Sequence, residues 1–252
     1  MYPNSEDKVA LVTGAGSGIG RASAIAFAKN MVKVIVVDID TKGGEETVHV
    51  IQKIGSEAIF IKADVSRALE VEEMVKEAIK SCGRLDYAHN NAGTGIGTAS
   101  IIDLAEKEWD TVINVNLKGV WLCMKYEIPQ MIKQGSGAIV NTSSVFGLIG
   151  GLKRAAYTAS KHGIIGLTKV AALEYAKAGI RVNAICPGRV LTPAVQRVIG
   201  TDPQAEKLRT ATDPMQRMAT PEEIADCVAW LCSSASFVTG HAMVVDGGIS
   251  IQ

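Results

Sequence analysis

The chain has 252 residues, 47% of them hydrophobic, enough to close the core of one large α/β domain. Its 26 basic and 26 acidic residues cancel, which removes any global electrostatic case for nucleic acid or an anionic membrane as partner and leaves a small molecule. No apolar run reaches the roughly eighteen residues that suggest a membrane span. Cys82, Cys123, Cys186, Cys227 and Cys232 form no C-x-x-C pair, and with no secretory leader pattern all five are expected as reduced, buried thiols of a cytoplasmic protein.

In chain order, the first apolar run (9–13) leads directly into Thr-Gly-Ala-Gly-Ser-Gly-Ile-Gly, Thr13 to Gly20, and then into a helical stretch from Arg21. The glycines do not fit G-x-G-x-x-G, which would need a small residue at Ile19 or Arg21; they fit G-x-x-x-G-x-G with Gly14, Gly18 and Gly20. A glycine turn between a strand and a helix aims free N–H groups and the positive end of the helix dipole at an anion. Gly14 and Gly18 are expected at positive φ, and Gly20 is expected to let the helix pack closely on the strand. Further Val- and Ile-rich runs follow at 34–38, 58–63, 85–90, 138–142, 181–186 and 242–245, with helical spacing between them, as at Val71, Val75, Ala78 and Ile79 after the capping candidate Ser66. Unbroken apolar strands alternating with helices predict a parallel sheet covered on both faces. Asp38 ends its run eighteen residues past Gly20, where an acidic side chain would accept hydrogen bonds from an adenosine ribose. Asp86 reads as structural, and residues 187–221 read as one long irregular segment, a candidate substrate loop or lid. His49, His89, His162 and His241 have no ligand spacing, so no metal site is expected.

The ordered set of motifs resembles the short-chain dehydrogenase/reductase family. It comprises the glycine turn, Asn90-Asn91-Ala92-Gly93, Asn116 within Asn-Val-Asn-Leu, Ser144 within Thr-Ser-Ser-Val, Tyr157-x-x-x-Lys161, Pro187-Gly188 followed by Thr192, and a closing Val-Asp-Gly-Gly at 245–248. The resemblance implies a single α/β domain over 1–252, a Rossmann-type doubly wound parallel sheet of about seven strands in the order 3-2-1-4-5-6-7, with 187–221 as the substrate loop. It implies NAD as cofactor, no metal, a small alcohol or carbonyl substrate, and a homotetramer built through the helix at 155–178 and the segment at 244–251. That helix carries more small residues, among them Ala156, Ala159, Gly163 and Gly166, than one buried face needs.

By the same resemblance, Tyr157 exchanges a proton with the substrate oxygen, Lys161 supports it and holds the nicotinamide ribose, Ser144 holds the substrate oxygen, and Asn116 supports the lysine and a proton-relay water. An ammonium roughly 5 Å from the phenol would lower its pKa by about two units at an effective dielectric of about 20. Gly14, Ser17, Gly18, Ile19 and Gly20 form the phosphate turn, while Asp38, Ile39, Asp64 and Val65 hold the adenosine end. Asn90, Asn91, Ala92 and Gly93 lie against the cofactor from the fourth strand, and Pro187, Gly188, Val190 and Thr192 line its nicotinamide end. Ser17 stands where a basic residue would favour NADP, and Ile39 where a phosphate-binding arginine might stand. The alternatives are an NADPH-dependent 3-oxoacyl-[acyl-carrier-protein] reductase and a nucleotide-binding protein without chemistry. Arg154 and Arg189 fall near the expected substrate entrance, and no substrate is assigned to them.

Overall fold

A parallel sheet is dictated by strands whose residues are buried on both faces, as in Val9–Thr13, where every position is buried. The computed structural model describes residues 7–95, 98–200 and 203–252. Among these, seven strands, β1 (Val9–Thr13), β2 (Lys33–Asp38), β3 (Ala58–Lys62), β4 (Tyr87–Asn90), β5 (Gly137–Thr142), β6 (Ile180–Pro187) and β7 (Ala242–Val245), form one sheet in the order β3-β2-β1-β4-β5-β6-β7. All pairings are parallel, with Val12 opposite both Val36 and His89 at the centre.

Alternate strand residues feed two cores. Leu11, Ile35 and Val37 pack with α3 (Ala68–Cys82), α5 (Gly119–Gln134) and α6 (Ala155–Tyr175). Ala10, Val12 and Val36 pack with α1 (Gly18–Lys29), α2 (Thr41–Lys53) and α9 (Pro221–Ser233). The strand order reverses between β1 and β4, so the carboxyl ends Thr13 and Asn90 flank the crevice where such sheets bind ligands. Ahead of α5, α4 (Glu106–Val112) runs through a π-helical turn at Ile113–Lys118, which contains Asn116.

Three expectations are corrected. Ser66 does not cap α3; its hydroxyl and N–H both bond Asp64 Oδ1, and the helix begins at Ala68 after Arg67. The fourth strand starts at Tyr87 rather than Leu85, because the Leu85 N–H and C=O are taken by the Gln134 side chain. The stretch 187–221 is not structureless: it holds α7 (Pro193–Ile199), capped by Thr192, and α8 (Pro203–Thr210). Residues 201 and 202 lie outside the described residues. Both helices start at a proline, whose fixed φ suits a first helical position, and α8 carries too little apolar surface to register as a helix in the sequence. Among the described residues no helix is long and apolar enough to cross a membrane.

Candidate active site

The glycine turn is shaped by backbone conformations that side chains resist. Gly14 and Gly18 adopt φ of 64° and 53°, as expected, and a Cβ on Gly20 would collide with the Gly14 carbonyl oxygen. Ser17 sits at the N-cap of α1 without a side-chain cap bond, so the N–H groups of the first turn remain available to an anion. Asp38 closes the turn from β2: its carboxylate accepts Gly16 N–H at 2.7 Å and Asp40 N–H at 2.9 Å. Arg21, next to the turn, donates to the Gly16 carbonyl of the turn and to Thr47, Gly43 and Glu46 of α2.

A cleft of about 740 Å³ runs from this turn across the carboxyl ends of the strands. Asp38, Ile39, Asp64 and Val65 line one end, and Gly14, Ser17, Gly18 and Ile19 the middle. Asn91, Ala92, Gly93, Gly188 and Thr192 border the stretch leading to Ser144, Tyr157 and Lys161. Asn91 locks β4 to β1, with its side-chain amide on the Thr13 carbonyl and its backbone N–H on the Thr13 hydroxyl. An elongated trough with glycines at its middle and a carboxylate at one end fits a dinucleotide. Among the described residues no group of three His, Cys, Asp or Glu side chains could hold a metal ion.

At the far end, Ser144 follows β5 in extended conformation and accepts Phe146 N–H at 3.2 Å. Tyr157 and Lys161 share a face of α6, which is pinned to the end of β5 by Ser143 Oγ donating to the Lys161 carbonyl at 2.8 Å. Lys161 Nζ donates to the Thr142 carbonyl at 2.8 Å and lies 5.5 Å from the Tyr157 ring centroid. Phe146 packs edge-on against the same ring, centroids 6.4 Å apart. Asn116 is fully buried and reaches the site indirectly: its amide brackets the N–H and C=O of Thr94 and donates to Ser160 Oγ at 3.2 Å, and Ser160 in turn donates to the Tyr157 carbonyl at 2.7 Å.

Electrostatically the phenol departs from expectation. Burial pushes the Tyr157 hydroxyl above its usual value, opposed by the Ser144 hydroxyl and the Arg154 guanidinium rather than by Lys161. The lysine, itself lowered to about 8 by burial, aims its ammonium at the Thr142 carbonyl and sits beside the ring instead of at the phenolic oxygen.

Several predicted residues lie behind the cleft rather than on it. Gly20 packs against the turn, Pro187 closes β6, and Val190 is 6% exposed within the core. Asn90 is a correction: its side chain is 1% exposed and turned into the core, its amide donating to Glu127 at 3.1 Å and to Asn141 at 3.0 Å, so no side-chain contact to a cofactor is open to it. Asp86 is structural as expected, held by Lys8, Arg84 and Val9 N–H. His89 is fully buried against Thr142, and burial drops its pKa to about 3. Sequence reasoning missed Ser143, Ser160 and Thr142, whose positioning roles run through backbone carbonyls, and Glu127, whose burial no motif signals.

Glu127 gives a pH-dependent stability. Its carboxyl is fully buried in α5, has Asn90 as its hydrogen-bond partner through one oxygen and none through the other, and is pushed up to about 7 by burial. The folded state therefore keeps a proton that the unfolded state loses near its ordinary value of 4.5, so stability falls as pH rises from about 4.5 to 7 and stays reduced above. Glu127→Gln should remove this slope, gaining on the order of 1–3 kcal/mol relative to the parent between pH 5 and pH 8. Urea denaturation at the two pH values measures it, and parallel curves for parent and variant would refute it.

The sheet order defines a Rossmann-type fold with its cleft at the switch point, and comparison with known proteins gives the class. A family model described as enoyl-(acyl carrier protein) reductase matches residues 14–250. The chain is 45% identical over 252 residues to the short chain dehydrogenase/reductase astE of Aspergillus oryzae, covering 98% of this chain and 96% of that protein. It is 43% identical to a cyclohexanol dehydrogenase of an Acinetobacter species, again over 98% and 96%. Among solved structures, an NAD+-bound xylitol dehydrogenase superposes with a TM-score of 0.92 at 33% identity, covering 97% of this chain and 100% of that one. The chain belongs to the short-chain dehydrogenase/reductase family and is a nicotinamide-dependent oxidoreductase of the alcohol–carbonyl kind.

Proposed function

We propose that the protein uses NAD to interconvert a small secondary alcohol and its ketone, with Tyr157 as general acid and base. The observation that carries this reading is the meeting of Ser144, Tyr157 and Lys161 at one end of a cleft whose other end holds Asp38. A nicotinamide bound at the Tyr157 end supplies the hydride acceptor or donor. Ser144 Oγ holds the substrate oxygen as charge develops on it, and the Tyr157 hydroxyl gives or takes the proton there. Lys161, held by the Thr142 carbonyl, carries positive charge next to the ring. Asn116, Ser160 and Thr94 act as positioning residues, tying the Tyr157 backbone to the loop after β4. The glycine turn and the first turn of α1 take the pyrophosphate, and Thr192 and Gly188 border the nicotinamide end. The segment between β6 and α9, with α7 and α8, is assigned as the substrate loop, within one domain over 1–252. The test is a panel of secondary alcohols and ketones with NAD or NADH, followed by absorbance of the reduced nicotinamide. Absence of turnover across cyclic and acyclic substrates in both directions would overturn the assignment.

The assembly proposed is a homotetramer in a reducing, cytoplasmic setting, the latter in keeping with five free cysteines. α6 leaves Val170 and Leu173 exposed at 51% and 83%, with Trp121 of α5 also exposed. Near the C-terminus, Val244 of β7 and Ile251 after it are also exposed. Two separate sets of exposed apolar residues suit two two-fold interfaces. Light scattering at micromolar concentration should give four times the chain mass of 26.6 kDa, and a monomer mass would refute the assembly.

A further inference from the structure

We propose that Arg154 is the anion-recognising residue of the cleft, and that the substrate is an alcohol or ketone that also carries a carboxylate. The inference rests on reading the cleft as an alcohol–carbonyl site and deepens it. Arg154 lines the cleft at its Tyr157 end. Its guanidinium donates one hydrogen bond, from Nη1 to the Gly95 carbonyl at 3.2 Å, and no carboxylate pairs with it among the described residues. The other cations at this end are engaged: Arg189 is paired with the buried Asp213 at 2.8 Å, and Lys161 bonds the Thr142 carbonyl. The acidic residues that line the cleft, Asp38 and Asp64, both stand at the opposite end. Besides the buried Lys161, already assigned to the Tyr157 ring, a guanidinium without a carboxylate partner therefore faces the space beside Tyr157, close enough to favour the ionised phenol.

Folding does not account for an arginine here. Residue 154 is the N-cap of α6, a position that favours Ser, Thr, Asp or Asn, and a cation there opposes the positive end of the helix dipole. The chain enters this cap through Lys153 at φ 58°, a conformation unfavourable for a lysine. A neutral side chain could make the bond to Gly95. What arginine adds is a fixed charge with further N–H donors, arranged to take a planar carboxylate. Phe146, Val145 and Val195 line the same cleft, so an apolar carbon frame with one carboxylate matches the walls.

The test uses matched pairs, β-hydroxy acids and hydroxycyclohexane carboxylates, each against its own carboxamide, with NAD as cosubstrate. For the parent protein the kcat/KM ratio of carboxylate over amide should exceed about tenfold and be carried mainly by KM. Arg154→Gln, which keeps an N–H for the Gly95 carbonyl, should bring the ratio to within about threefold of one. Arg154→Lys should retain part of the preference, and Lys153→Met, which removes an equal charge one residue away, should leave it as in the parent. Calorimetric binding of the same carboxylate and amide probes to the NADH-loaded protein gives a readout independent of turnover, and the carboxylate advantage should shrink with added salt. A parent ratio near one in both assays, or a preference that survives Arg154→Gln, overturns the proposal. Failure to turn over every alcohol, with the carboxylate still bound in preference, strikes the catalytic reading and leaves the arginine assignment standing.

Discussion

Tyr157→Phe should lower turnover by roughly a hundredfold to ten-thousandfold while NADH binding persists, because a single hydroxyl is lost and that hydroxyl moves the proton. The ring's packing survives: Phe146 still meets it edge-on, and Lys161 Nζ still has the Thr142 carbonyl as acceptor. Ser160 bonds the residue's backbone carbonyl, which the substitution does not touch. Steady-state kinetics on a good substrate and fluorescence titration with NADH measure the two halves separately. Retention of more than about a tenth of the activity would remove Tyr157 from the acid/base role.

The raised phenol fixes the sign of the pH dependence. Burial keeps Tyr157 protonated at neutral pH, so carbonyl reduction, which needs a proton donor, should be flat around neutrality and fall at alkaline pH. Alcohol oxidation needs the phenolate and should rise with pH over the same range. In Tyr157→Phe both dependences should flatten. Lys161→Ala removes a buried cation whose ammonium lies 5.5 Å from the ring centroid, so turnover and cofactor affinity should both fall. Loss of one without the other would require the two roles assigned to Lys161 to be separated.

The parts of this molecule that were legible in the sequence are those set by local chemistry. β1 and β7 were readable to the residue, because Val9–Thr13 and Ala242–Val245 are apolar runs bounded by polar or glycine residues. The positive φ at Gly14 and Gly18 followed from the turn that a strand-to-helix phosphate site needs. What stayed hidden depends on tertiary partners. Asn90 and Asn91 are adjacent and chemically identical, yet alternation along the strand end sends one side chain into the core toward Glu127 and the other toward the glycine turn. Spacing placed Lys161 on the face of Tyr157, but the carbonyl of Thr142, nineteen residues earlier, decides where its ammonium points. α8 was missed because nothing in its composition asks for burial.

Coenzyme choice should rest on Asp38, with kcat/KM for NAD exceeding that for NADP by roughly a hundredfold or more. The carboxylate is held in place before any ligand arrives, one oxygen on Gly16 N–H at 2.7 Å and the other on Asp40 N–H at 2.9 Å, with lone pairs left for ribose hydroxyls. NADP would bring a phosphate of about two negative charges against it, adding repulsion to the loss of those hydrogen bonds. Ile39 follows Asp38 with 63% of its surface exposed, and Arg21, the cation bonded to the Gly16 carbonyl of the turn, is already paired with Glu46 and tied to Thr47 and Gly43. Asp38→Ala should collapse the NAD-to-NADP ratio, chiefly through a fall in NAD use, since the ribose loses its acceptor and Gly16 its anchor together. Asp38→Asn separates the two losses: it keeps an acceptor for Gly16 and removes the charge, so NADP use should rise more than in the alanine variant while the turn stays formed. Equal use of both coenzymes by the parent protein would sink the assignment and bring forward the NADPH-dependent reductase reading.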